Sequence, residues 1–132
     1  MTGCTAHFVT EELDAYDPTD AARAIEAFVD DLSNWYVRRS RRRFWRGASE
    51  GDADKQSAYD TLYTALVTLS KLIAPFTPFV ADEIYRNLVV PLDEAAPISV
   101  HLAEWPKADG SLLDERLNAE TQLVKRVCSL GR

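Results

Sequence analysis

The segment from Pro18 to Arg46 restricts the possible folds most, because it contains no internal glycine or proline. The motif Asp17-Pro18-Thr19-Asp20 is typical of a helix start: Asp17 can cap, Pro18 fits the first helical position, and Asp20 can close a capping box. Apolar residues then recur every three or four positions, as one buried helix face requires: Ala22, Ile25, Phe28, Val29, Leu32 and Tyr36. Such a helix would be about 43 Å long and would project past the core of a small domain.

Three further helical patterns come after the turn-forming residues 47–54. Residues 55–74 are predicted to bury Tyr59, Leu62, Tyr63, Leu66, Leu69 and Ile73. Thr77-Pro78 repeats the start pattern and predicts a helix to about Leu88, with Val80, Ile84 and Leu88 inward. Residues 112–130 present Leu113, Leu117, Leu123, Val124, Val127 and Leu130.

A proline-rich connector of residues 91–110 separates the last two of these helices, and residues 98–102 within it alternate as a short extended segment would. Residues 5–16 are only weakly periodic, and the first seven residues are interpreted as an added or disordered end. The prediction is an all-α antiparallel helix bundle, formed as one domain by residues 1–132, with an irregular connector before the last helix.

Charge is distributed unevenly along the chain. Its 132 residues carry 15 basic and 21 acidic side chains, a net charge of -6, which argues against a general nucleic-acid coat. Six arginines nevertheless fall within nine residues that contain no acid: Arg38, Arg39, Arg41, Arg42, Arg43 and Arg46. The sequence therefore predicts one basic patch on an acidic body.

The sequence contains none of several common catalytic or metal-binding motifs. A GxxxxGK phosphate loop, a GxSxG elbow and an HExxH pair are all missing. The two cysteines stand near opposite ends of the chain, with no CxxC pair and only two histidines, which argues against a four-ligand zinc site in one copy. His7 and His101 are interpreted as structural, and the acid pairs Asp30-Asp31 and Asp82-Glu83 as surface residues. No apolar run approaches the ~20 residues of a membrane span. We expect a soluble cytoplasmic protein with no catalytic residue and no metal ligand in this chain.

The segment SNWYVRRSRRRFWR, residues 33–46, combines arginines with aromatic rings, the residue classes that bind RNA phosphates and unstacked bases. On a helix, Trp35, Arg39, Arg42 and Arg46 would share one stripe, and Arg38, Arg41 and Trp45 another. Trp35 and Tyr36 are interpreted as core residues. Asp31 is expected to pair weakly with Arg38 or Arg39. For the arginine cluster as a whole we favour RNA contact over pairing with acids of neighbouring helices or of another domain, because six close like charges repel one another and need an anionic partner.

Four ordered blocks resemble one family. DPTDAARAIEAFVDDLSNWYVRRSRRRFW, LVTLSKLIAPFTPFVADEIYRNL, SVHLAEWP and a final helix ending KRVCSLGR look like the anticodon-binding helical domain of isoleucyl-tRNA synthetases. The LIAPFTPFVADEIY block is shared with related class I synthetases, whereas NWYVRRSRRRFW and SVHLAEWP look isoleucyl in particular. The resemblance covers residues 8–132.

The resemblance implies a tRNA-positioning part of an ATP-dependent isoleucine-tRNA ligase of protein biosynthesis, without its catalytic and editing sites. It implies no cofactor in this chain; ATP, magnesium and zinc belong to the parent's other domains. The implied partners are tRNA(Ile) and those domains, with no DNA and no membrane. In the family, the matching arginine run faces the tRNA or the neighbouring catalytic domain. The implied tRNA-binding residues are Arg38, Arg39, Arg41, Arg42, Arg43, Trp45 and Arg46, with Trp45 as the best candidate for stacking on a base. Pro75, Phe76, Pro78 and Phe79 match a structural helix corner.

The main competing hypothesis is a helical protein-interaction bundle, whose basic end docks on an acidic protein surface. A membrane-surface helix is disfavoured, since the bundle would use the apolar face opposite the arginines. A stand-alone enzyme is the least favoured, for want of any site. If apolar surface stays exposed, the domain is also expected to pair with itself.

Overall fold

A computed structural model describes the fold of residues 2–45, 53–107 and 114–131. Along these residues lie the helices α1 (Thr2–Asp14), α2 (Pro18–Asp30), α3 (Arg38–Phe44), α4 (Ala53–Ile73), α5 (Pro78–Leu88) and α6 (Glu115–Leu130). A π-helical turn, Asp31–Val37, joins α2 to α3, and a 3-10 turn, Val100–Leu102, lies in the connector. The predicted all-α class is confirmed, with no strand among the described residues.

Helix α2 starts at Pro18 as predicted, but only half of the capping box forms. The Asp17 Oδ1 atom accepts hydrogen bonds from the backbone N–H groups of Thr19, at 3.0 Å, and Asp20, at 3.1 Å. The backbone N–H of Asp17 donates instead to the carbonyl of Glu12, at 2.8 Å, and Asp20 pairs with Arg23 at 3.0 Å. The tight turn between α1 and α2 therefore supplies the bond that the capping box predicts from Asp20.

Helix α1 differs from the expected disordered end at residues 1–7, because the chain is helical from Thr2 onward. Ala6 and Val9 are buried against α2. Few large apolar residues are needed for this contact, which explains the weak sequence pattern. Tyr16 closes the turn after α1 with a positive φ of 59°, a conformation that non-glycine residues seldom adopt.

The main core lies between α1, α2 and α4, and a second cluster lies between α5 and the connector. Phe28, Leu69 and Leu72 are buried in the first, and Tyr85 and Val100 in the second. Short turns connect α1 to α2 and α4 to α5, and each of these pairs packs together. Neighbours joined by such short connections run antiparallel, as predicted.

Several inward positions differ from the predicted ones. In α2, Ile25 and Phe28 are buried as predicted, but Ala21 is buried in place of Ala22. In α5, Ala81 is buried in place of the larger Val80. Tyr59 and Tyr63 on α4 are exposed too, while Ala58 and Ala65 are buried, and Val29 on α2 is exposed. Alanine allows two helices to approach closely, so a prediction based on large apolar residues misplaces the face.

The connector is folded rather than extended. Residues 100–102 form the 3-10 turn, and Ser99 caps it by accepting a hydrogen bond from the His101 N–H. Asp82 Oδ1 accepts hydrogen bonds from the Ser99 hydroxyl, at 2.6 Å, and from the Val100 N–H, at 3.0 Å. Asp82, interpreted from the sequence as a plain surface acid, therefore holds the connector on α5. These bonds, the Ser99 bond above all, lower the pKa of the Asp82 carboxyl below its ordinary value.

Only some of the residues predicted to form a structural corner between α4 and α5 have a structural role. Phe76 packs against the main core and Pro78 begins α5, but Phe79 is 89% exposed and contributes no packing. The Thr77 side chain makes no forward capping bond.

Helix α6 contacts the bundle through polar residues and turns its apolar stripe outward. Asn118 Nδ2 donates to the Sγ of Cys4 at 3.6 Å, and Lys125 pairs with Asp31 at 2.7 Å. The apolar residues expected to face a partner are all exposed: Leu117, Leu123, Val124, Val127 and Leu130. Leu113 lies outside the described residues. None of the described helices combines the length and apolar character needed to cross a bilayer.

Candidate nucleic-acid interface

The side of α3 that faces α4 is occupied by internal contacts. Ser40 is buried there, and its small side chain lets the two helices approach. The Phe44 ring lies 5.0 Å from that of Tyr59, measured between centroids. Before α3 begins, the Tyr36 hydroxyl donates to the carbonyl of Ala58 at 3.0 Å. This side of the helix is therefore not available to a ligand.

Arg43 belongs to this internal side, although the sequence groups it with the RNA-binding arginines. Its Nη2 atom lies 2.8 Å from Asp54 Oδ1 and donates to the Asp54 carbonyl oxygen at 2.9 Å. The Arg43 side chain is 32% exposed. Arg43 thus connects the end of α3 to the beginning of α4.

The opposite side of α3 carries the other described arginines. Within the described ranges, Arg38 and Arg42 are exposed and have no ion-pair partner. At the flanks, the guanidinium carbon of Arg39 lies 4.6 Å from the centroid of the Trp35 ring, and that of Arg41 lies 4.6 Å from the centroid of the Trp45 ring. A guanidinium held over a ring keeps N–H donors in its own plane, and these can still reach a phosphate.

An open groove lies along one flank of this outward side. It is lined by Ser33, Val37, Arg38, Arg41, Phe44 and Trp45 and has a volume of about 460 Å³. Trp45 is 70% exposed and offers its ring to solvent. A flat apolar surface with two guanidinium groups beside it is the arrangement that single-stranded nucleic acids need, because each base stacks while its phosphate is neutralised.

Among the described residues, two acids near this surface pair with cations other than the outward arginines. Asp54 pairs with Arg43, and Asp31 pairs with Lys125 of α6. The prediction that Asp31 would pair with Arg38 or Arg39 is wrong; Lys125 reaches it from the far end of the chain. Asp30 accepts a hydrogen bond from Asn34 within the π turn. Arg38, Arg39 and Arg42 therefore remain without an acid partner in the described structure.

The structure brings together most of the residues that the sequence groups as the tRNA-binding set. Arg38, Arg41 and Trp45 line one groove, and Arg39 lies on Trp35. Arg46 lies outside the described residues. Sequence reasoning missed Ser33, Val37 and Phe44 in the groove, which only their helical spacing to Arg41 could have indicated.

Trp35 and Tyr36 have different environments. Tyr36 packs against the main core as predicted. Trp35 is half-buried outside that cluster, in contact with the cations of Arg39 and Lys125, so its interpretation as a core residue is wrong.

One cluster of acids among the described residues is close enough together to hold a metal ion, but two of its three members already have partners. Oxygens of Glu12, Asp17 and Asp20 lie within 4.8 Å of one another, but Asp17 is used as the α2 cap and Asp20 pairs with Arg23. Away from these acids, burial raises the pKa of the Tyr85 hydroxyl in α5.

The chain is similar to proteins of one known family. A family model described as the anticodon-binding domain of tRNA ligase matches residues 4–132. The chain belongs to this family. It is 64% identical over 124 residues to the isoleucine-tRNA ligase of Dehalococcoides mccartyi strain CBDB1, an alignment covering 94% of this chain and 12% of that protein.

Two other bacteria supply similar relatives. The isoleucine-tRNA ligase of Thermus thermophilus is 54% identical over 125 residues, and that of Clostridium novyi is 53% identical over 124 residues. Each alignment covers 94% of this chain and 12% of the relative. This anticodon-binding domain therefore spans about 12% of the length of the curated relatives it matches.

Proposed function

We propose that this chain holds the anticodon stem and loop of tRNA(Ile) within an isoleucine-tRNA ligase of the cytoplasm. The observation that carries the proposal is the outward side of α3, where Arg38 and Arg42 have no described acid partner and two further arginines lie on tryptophan rings. Membership of the anticodon-binding family and the names of the relatives support the RNA class and the amino acid.

Affinity and selectivity would come from different parts of the surface. Arg38, Arg39 and Arg42 would neutralise phosphates, which contributes most of the affinity and none of the sequence selectivity. The groove beside Trp45 would accept an unstacked loop base, and stacking of that kind contributes about 1–3 kcal/mol per base. The shape of the groove would then favour some anticodon loops over others.

Isoleucine activation and its transfer to tRNA are proposed for the parent protein alone. ATP and magnesium, and zinc where the parent has it, would be held by domains outside this chain. The role of these residues is to hold the tRNA at one end so that its other end reaches the active site. The remaining domains of the parent are the second proposed partner.

The test is fluorescence-anisotropy titration of labelled tRNA(Ile) and an unrelated tRNA with the 132-residue chain across a salt series. The variant Arg38→Gln/Arg42→Gln removes two charges from the outward side. Arg23→Gln/Arg116→Gln is its matched control, because those exposed arginines pair locally with Asp20 and Glu120 away from α3.

We expect the α3 variant to weaken tRNA binding and to lower the slope of log K against log salt by up to about 2, while the control changes little. Equal losses of tRNA affinity in both variants would mean that binding depends only on the net charge of the chain. A poly-glutamate competitor that displaces tRNA at equal charge would favour the protein-interaction hypothesis.

A further inference from the structure

The π turn Asp31–Val37 sets the direction in which α3 points its arginines. A π turn bonds each residue to the fifth along the chain, so it holds more residues than an α-helical turn and changes the rotational phase of the next helix. One extra residue corresponds to a rotation of about 100° around the helix axis. The outward placement of Arg38 and Arg42 therefore depends on this turn keeping its geometry.

The turn is held on two sides. Toward the bundle, Leu32 is buried in the main core and the Tyr36 hydroxyl bonds to the carbonyl of Ala58. On the other side, Lys125 of α6 lies 2.7 Å from Asp31 Oδ2 and 5.7 Å from the centroid of the Trp35 ring. One side chain of the last helix thus contacts both the first residue of the turn and its tryptophan.

The Lys125 ammonium group is shielded from solvent. Its side chain is 12% exposed and that of Asp31 is 30% exposed. The Nζ atom itself is buried and makes no hydrogen bond, so its contact with Asp31 is an ion pair alone. Removing a charge pair from water costs about as much as the pair gains, so such a pair adds little stability. The ion pair instead fixes the positions of the two side chains, because removing either partner leaves a shielded charge without compensation.

The same contacts continue to an arginine of the outward side. Trp35 contacts both cations: the Arg39 guanidinium carbon is 4.6 Å and the Lys125 Nζ 5.7 Å from the ring centroid. A cation over an aromatic face is attracted by the ring quadrupole, so the ring orients Arg39 while Lys125 orients the ring. Lys125 belongs to α6 and contacts the arginine helix only through these intermediates.

We propose that Lys125 is a positioning residue for the RNA-binding side of α3, acting through Asp31 and Trp35 to hold the π turn. The inference rests on the proposed tRNA-binding function. It adds that α6, which contributes no residue to the groove, nevertheless controls the affinity of that surface. Loss of Lys125 would release both the turn and Arg39.

The sharpest test is the variant Asp31→Asn, because two explanations predict opposite signs. If Asp31 acts only through its charge, its removal beside an RNA-binding surface strengthens tRNA binding. If Asp31 holds the turn through Lys125, its removal weakens tRNA binding, by about three- to tenfold. The measurement is anisotropy with tRNA(Ile), together with the melting temperature to confirm that the variant folds.

Lys125→Met and Arg126→Met form the matched pair. Each removes one positive charge from neighbouring positions of α6, but Arg126 is exposed. We expect Lys125→Met alone to weaken binding by about three- to tenfold and to speed amide hydrogen exchange within residues 31–37. Equal effects of the two variants, or unchanged exchange in Lys125→Met, would overturn the positioning role.

The two proposals fail in distinguishable ways. A wild-type chain that binds no tRNA would overturn the proposed function and this inference with it. A wild-type chain that binds, combined with an Asp31→Asn variant that binds equally or more tightly, would overturn the positioning role of Lys125 and leave the tRNA-binding function intact.

Discussion

Helices α3 and α6 each leave one side without a partner in the described structure, but the two sides have opposite chemistry. The outward side of α3 carries arginines, with Arg38 and Arg42 at its centre. The outward side of α6 carries aliphatic residues, among them Leu123, 62% exposed, and Leu130, 88% exposed. Both helices are fixed to the bundle on the other side, α3 on α4 and α6 on the π turn.

The difference indicates two kinds of partner. Charged side chains are well hydrated, so a cationic surface is stable in water without a partner and can bind an anion reversibly. Exposed aliphatic area costs roughly 25 cal/mol per Å² relative to burial, so an apolar helix face favours a lasting contact. We therefore expect reversible, salt-sensitive RNA binding on α3 and a salt-insensitive protein contact on α6, with the remaining domains of the parent as the expected partner.

The largest effect should come from removing the arginine stripe. The triple variant Arg39→Gln/Arg42→Gln/Arg46→Gln is expected to weaken tRNA binding by about 2 kcal/mol or more and to lower the salt slope by up to roughly 3. Anisotropy across a salt series measures both. Leu123→Glu on the apolar side is the control for general damage, and unchanged binding in the triple variant would remove the stripe from the mechanism.

The apolar side of α6 should govern self-association of the chain when no other partner is present. Leu123→Glu/Leu130→Glu is expected to weaken any self-association at least about tenfold, because each substitution places a charge in an apolar contact. Sedimentation velocity at low and high salt measures it. Arg38→Gln/Arg42→Gln should have no such effect; if it weakens self-association as well, the two surfaces do not have separate roles.

The comparison also shows how far sequence reasoning reaches. The starts of α2 and α5 were predictable because proline at the first helical position is a local signal. The basic cluster was predictable from the six arginines within residues 38–46. In α5 the small Ala81 is buried in place of Val80, since small residues make close contacts without a strong hydrophobic pattern. In α2 the pattern does not distinguish Ala21, which is buried, from Ala22, which is exposed. Local signals identify elements; the contact between two elements depends on both.

The same limit applies to the interface. Nothing in the run of arginines distinguishes Arg43, which pairs with Asp54, from Arg42, which is exposed. Helical periodicity in the sequence does not distinguish the π turn from an α-helix. It also does not predict the contact between Asp31 and Lys125, which lie far apart in the chain. Those features determine which arginines face outward, so the membership of the cationic surface had to come from the fold.

Arg43 sharpens the comparison from the internal side of α3. Arg43→Gln should reduce the free energy of unfolding by about 0.5–1 kcal/mol, since it breaks a partly exposed ion pair and a bond to a backbone carbonyl. Urea denaturation measures this loss. Binding of tRNA should fall less than in Arg42→Gln, although both variants lose one charge; the reverse order would place Arg43 in the RNA interface.

The smallest effect on tRNA binding is expected at Asp82, which touches neither outward side and serves as a control on the scaffold. Asp82→Ala removes the bonds to Ser99 and Val100 and should lower the melting temperature at pH 7 by about 3 °C. Because the folded state lowers the pKa of Asp82 below its ordinary 3.8, the stability it supplies is full above that value and disappears as pH falls through the folded-state pKa. The melting temperatures of wild type and variant should therefore converge below pH 3.8.

A difference in melting temperature that stays constant down to about pH 2 would assign the effect of Asp82 to packing. A change in tRNA affinity would mean that the connector reaches the interface after all.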